Sequence, residues 1–94
     1  MEIKSRIVTQ EKIEAYHKGE KYTIDYSVTL GENKAYQNIN GTIKEVSTNQ
    51  IVGYVSKSYE LSIRVVSGKE DHIAAVSVFT TETLALLDET INNL

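Results

Sequence analysis

The run Tyr22-Thr23-Ile24-Asp25-Tyr26-Ser27-Val28-Thr29-Leu30 alternates apolar and polar residues without a slip. Successive side chains of a β-strand point to opposite faces, so Tyr22, Ile24, Tyr26, Val28 and Leu30 line one side. Thr23, Asp25, Ser27 and Thr29 line the other. A chain built around such a segment needs a sheet with one packed face and one wet face, the habit of antiparallel sheets. With 94 residues there is enough apolar material for one core, so residues 1–94 are expected to form a single α+β domain.

Turn-forming clusters cut the middle of the chain into hairpin-strand lengths. They are Gly31-Glu32-Asn33, Asn40-Gly41, Ser47-Thr48-Asn49, Ser56-Lys57-Ser58 and Ser67-Gly68-Lys69-Glu70-Asp71. Strands are predicted near 2–8, 21–30, 34–46, 50–55, 58–67 and 72–79, giving a mostly antiparallel sheet of five to six strands. Asn40-Gly41 reads either as a two-residue hairpin turn, since both residues tolerate positive φ, or as a bulge in one long strand.

Two Thr-led segments resemble helix starts. Val8-Thr9-Gln10-Glu11-Lys12-Ile13 and Phe79-Thr80-Thr81-Glu82-Thr83-Leu84 each place a Thr to cap orphan amides. Each also has a Glu in the first turn and an apolar pair five residues apart to staple the entry. The second opens a C-terminal amphipathic helix, with Leu84, Leu87, Ile91 and Leu94 on one stripe and Thr80 as its cap. The first predicts a short N-terminal helix over 10–18, ended by Gly19. The competing reading is a strand over 11–17 that turns through Lys18-Gly19-Glu20.

If 58–67 and 72–79 form a hairpin, Arg64 faces Ala74, Ser62 faces Val76 and Glu60 faces Val78. The strand His72-Ile73-Ala74-Ala75-Val76-Ser77-Val78-Phe79 is then apolar on both sides, and its second face needs a cover. A helix of the same chain, a second copy or another protein would serve. A second copy would bury Val76 and Val78 and let Arg64 and Glu60 pair across a two-fold axis, so a homodimer is expected.

The absence of cysteine removes disulfides and thiolate metal sites, and points to a cytoplasmic setting. The first residues, Met1-Glu2-Ile3-Lys4-Ser5-Arg6, do not read as a signal peptide, and no apolar stretch approaches the ~20 residues of a membrane-spanning helix. Residues 1–69 carry ten Lys or Arg against eight acids, whereas 70–94 carry five acids and no base. That balance disfavours nucleic-acid binding, which depends on clustered cations. Two histidines cannot supply a multi-histidine metal site, and glycines are too scattered for a phosphate loop, so neither metal nor cofactor is expected.

No nucleophile, base and oxyanion set stands at a spacing that specifies a reaction; Asp71-His72 is the nearest to a chemical pair. Tyrosine is the richer signal, because it brings contact area at low entropy cost. Tyr36, Tyr54 and Tyr59 border turns, whereas Tyr22 and Tyr26 belong to the packed face. The predicted role is therefore a non-enzymatic protein-interaction module. It would be an adaptor, inhibitor or immunity-type small protein of the kind phages and mobile elements carry. Its contact residues would be Glu60, Arg64, His72, Val76, Tyr54 and Tyr59. The alternative is a small-molecule or nucleotide-binding domain using Arg64 and His72 on one face.

Overall fold

A computed structural model describes residues 1–7, 11–31 and 36–93. Its strands are β1 (Glu2–Ile7), β2 (Lys12–Lys18), β3 (Tyr22–Leu30), β4 (Tyr36–Glu45), β5 (Ile51–Lys57) and β6 (Leu61–Val65). A 3-10 turn over Glu70–His72 leads into one helix, α1 (Ile73–Asn92). The strands pair in chain order as an antiparallel six-stranded meander, with β1 and β6 at the edges. The fold is α+β, and its sheet is antiparallel throughout.

The alternating segment is β3, and its faces divide as its pattern requires. Tyr22, Ile24, Tyr26, Val28 and Leu30 are buried, while the residues between them are half-buried or exposed. From neighbouring strands Ile13, Ala15, Ile39, Ile43, Val52 and Val55 join the same core. Helix α1 closes that face with Val76, Thr80, Thr83, Leu87 and Ile91, spaced at three and four residues along one stripe.

Residues 12–18 form a strand, so the predicted N-terminal helix is corrected to its strand alternative. Ile13 and Ala15 point into the core while Lys12 and Glu14 point out, a period of two that one helical stripe cannot satisfy. Thr9, the proposed cap, and Val8, its staple, lie outside the described residues, as do 32–35 and Leu94.

Asn40-Gly41 is neither a turn nor a bulge. β4 runs straight through it, with Ser27 opposite Asn40 and Tyr26 opposite Gly41 in unbroken register. A Cβ at Gly41 would sit 3.0 Å from two carbons of the Tyr26 ring, so glycine is the residue that lets the ring lie across β4. The Tyr26 hydroxyl then reaches Thr83 Oγ1 at 2.8 Å, joining sheet to helix inside the core. Burial raises the Tyr26 pKa to about 12, despite the opposing effect of the Thr83 hydrogen bond, so the phenol is neutral at physiological pH.

The largest correction concerns 72–79. The segment is the 3-10 turn's last residue and the first two turns of α1, so the hairpin pairings of Arg64, Ser62 and Glu60 with Ala74, Val76 and Val78 do not exist. Thr80 caps nothing; it lies in mid-helix, fully buried, and its Oγ1 has no hydrogen-bond partner among the described residues. A buried hydroxyl without a partner carries its desolvation cost unreturned. Thr80→Val keeps the shape and removes the polar atom, so it should stabilise the protein by about 1 kcal/mol. A raised urea midpoint at unchanged slope is the expected result. A fall of similar size would show that the hydroxyl is satisfied in solution.

Candidate functional site

Two places gather the side chains that chemistry or recognition would use, one on the helix side of the sheet and one at its β6 edge. The first is a cleft beside the start of α1. β3 opens with Tyr22 on the helix side and β4 ends with Glu45; the 3-10 turn brings Asp71 and His72 over both. Tyr22 Oη and His72 Nδ1 are 2.6 Å apart, and His72 Nε2 stands 3.6 Å from Glu45 Oε2. The Tyr22 pKa is raised, first by burial and then by the Glu45 and Asp71 carboxylates, so Tyr22 holds its proton. The Tyr22 hydroxyl and His72 Nδ1 share this hydrogen bond, with the donor set by the imidazole tautomer. Phe79 packs against the Tyr22 ring with centroids 5.6 Å apart and holds the phenol in place.

This Tyr–His–Glu chain has a chemical consequence. His72 Nδ1 is engaged by the Tyr22 hydroxyl, Nε2 stands near Glu45 beyond hydrogen-bond distance, and a phenol with a raised pKa is a poor nucleophile at neutral pH. The cleft has a volume of about 450 Å³ and is lined by Glu20, Lys21, Tyr22, Glu45, Asp71 and His72 among others. Three carboxylates against one ammonium make it unfavourable to anions. Among the described residues, no group of three or more His, Cys, Asp and Glu is placed to hold a metal ion.

The second place is the β5–β6 hairpin. Tyr54 on β5 is cross-strand from Arg64 on β6, and the guanidinium lies 5.6 Å from the ring centroid, within cation–π range. Tyr59, in the connection, is fully exposed, and Glu60 beside it is exposed. Leu61, the first residue of β6, is 47% exposed.

The six residues singled out from sequence thus separate into three groups. Tyr54, Tyr59, Glu60 and Arg64 come together on the hairpin. His72 lies in the cleft on the helix side, so Arg64 and His72 do not share a face and the expected anion site between them is absent. Val76 is fully buried against the sheet and touches no outside surface; it is a core residue. Sequence reasoning missed Tyr22 and Glu45 as partners of His72. Tyr22 is 50 residues from His72 in the chain, and only the register of β3 with β4 and the placement of the 3-10 turn bring them together.

The outer sheet face also has a shallow depression of about 330 Å³, crossed by an ion pair from Lys4 Nζ to Asp25 Oδ1 at 3.1 Å. Its lining sets two carboxylates, Glu14 and Asp25, against the one ammonium of Lys4. No described helix is long and apolar enough to cross a membrane. No protein-family model, no curated protein and no solved structure matches this chain.

Proposed function

We propose that this chain is a protein-interaction module that engages its partner through the β5–β6 hairpin. One observation carries the reading. Of the seven large apolar or aromatic residues exposed among those described, Ile51, Tyr54, Tyr59 and Leu61 belong to this one hairpin. Scattered exposed hydrophobics need no explanation, but these share one terminal hairpin, Tyr54 on its outer face and Leu61 on the helix side, so a partner gripping the edge meets both. Tyrosine with a stacked arginine is the composition favoured where partners dock.

The test is affinity capture from the cells that make the chain, using the native protein beside Leu61→Asp. Leu61 is exposed enough for the substitution to leave the fold intact. A protein retained in stoichiometric amount by the native chain and lost from Leu61→Asp is the expected result. Retention by both, or by neither, overturns the assignment to this hairpin.

A second reading attaches to the cleft, whose volume is that of a small-molecule site and whose Tyr22 and His72 are held in fixed orientation. Its acidic lining favours a neutral or cationic ligand over a nucleotide. A ligand at 100 times its dissociation constant would add about 2.7 kcal/mol of stability, which thermal denaturation reads directly.

A further inference from the structure

We infer that the partner of the β6 edge is a second copy of the same edge, paired antiparallel about a two-fold axis through Ser62. The inference rests on the interaction reading above and gives it a definite occupant and register.

The first step is which backbone groups of β6 are free. Val66 N–H donates to Val52 O at 2.8 Å, and Gly53 is paired with Val65. Hydrogen-bonded and non-hydrogen-bonded pairs alternate along an antiparallel ladder. Ser62 and Arg64 therefore direct their N–H and C=O groups at β5, while Leu61, Ile63 and Val65 direct theirs away from the sheet. A second strand must hydrogen-bond to those three.

The second step is why this edge and not the other. β1 is interrupted by a register shift between Ile3 and Ser5, and it carries the charges of Glu2 and Lys4. Bulges and repeated charge are the usual guards against edge pairing. β6 has an unbroken register with β5 and no lysine, and the chain has no proline.

The third step fixes the register. With Ser62 on the two-fold axis, Leu61 and Ile63 of one copy form hydrogen-bonded pairs with Ile63 and Leu61 of the other. Glu60, the bend residue just before β6, then falls across from Arg64 twice once pairing extends each strand by one residue, at non-hydrogen-bonded positions where the Cα atoms approach to about 4.5 Å. Centring the pairing on Ile63 instead puts Arg64 opposite Ser62 and Glu60 opposite Val66. Centring it on Arg64 sets two guanidinium groups against each other. Of these, only the Ser62 register brings opposite charges face to face, and it leaves Arg64 stacked on Tyr54 of its own sheet. Leu61 and Ile63 meet their counterparts on the helix side, which covers the exposed Leu61.

The experiment uses the purified chain alone, so it is independent of any captured protein. Sedimentation equilibrium at about 100 µM chain should give twice the monomer mass for the native protein. Glu60→Arg and Arg64→Glu should each weaken association about tenfold, by setting like charges opposite one another. The double variant Glu60→Arg/Arg64→Glu should restore it. Amide exchange provides a readout that folding defects do not mimic. Leu61 and Ile63 should gain protection as concentration rises, while Ser62 and Arg64, already bonded to β5, should not. A native monomer at that concentration, or a double variant as weak as the singles, overturns the inference. A monomer that still captures a partner lost on Leu61→Asp leaves the interaction reading standing while the self-pairing fails.

Discussion

Val76→Glu is expected to abolish folding, while Val78→Glu changes stability by less than ~0.5 kcal/mol. Val76 is fully buried on the inner stripe of α1, where its Cγ1 faces Gly53 of β5. A carboxylate in that position has neither room nor a partner, and an unpaired buried charge costs several kcal/mol even when it escapes by taking up a proton. A domain of this size holds ~5–15 kcal/mol in total. Val78 is 59% exposed, so the same substitution there meets water. The pair is diagnostic because residues two apart share one face of a strand but stand about 200° apart around a helix. Circular dichroism of both variants reads the difference. Equal damage from the two would mean that 73–79 is not helical.

Leu87→Ala should cost ~2–5 kcal/mol, the usual range for a leucine removed from a packed core. Leu87 is fully buried near the middle of the α1 stripe, with Thr83 one turn before it and Ile91 one turn after. Leu86 is only half-buried, a step of about 100° around the helix, and Leu86→Ala should cost clearly less. Urea midpoints of the two variants check the phase of the helix. A greater loss at Leu86 would rotate α1 against the sheet by that step.

The elements read correctly from sequence are those whose pattern extends beyond one ambiguous turn. Nine alternating residues leave no phase but a strand for β3, and Leu84, Leu87 and Ile91 admit only a helix. The misread elements are short apolar runs. Ile73 to Phe79 has the length and valine content of a buried strand, and Thr80-Thr81 imitates a helix start, so the first half of α1 was divided from its second half. What joins them is the stripe Val76, Thr80, Thr83, Leu87 and Ile91, which includes two threonines that no hydropathy scale marks as core. Lys12 to Lys18 offers too few apolar residues to fix a period by itself, and it becomes a strand because β3 stands ready to pair with it along seven residues. At Gly41, local turn chemistry lost to the Tyr26 ring that needs the space of a missing Cβ.

The candidate site divides along the same line. Tyr54, Tyr59, Glu60 and Arg64 were legible because they are close in the chain and flank one turn, so any hairpin there assembles them. The cleft was not, because Tyr22, Glu45 and His72 meet only through strand register and the approach of the 3-10 turn. Side-chain periodicity specified an antiparallel sheet with one packed face and a C-terminal helix, because it is a local property that backbone geometry converts directly into a face. Tertiary structure alone decided where that helix begins, what covers the sheet, and which faces Arg64, His72 and Val76 occupy. Those outcomes depend on long-range packing, and a run of apolar residues adopts whichever period its neighbours allow it to bury.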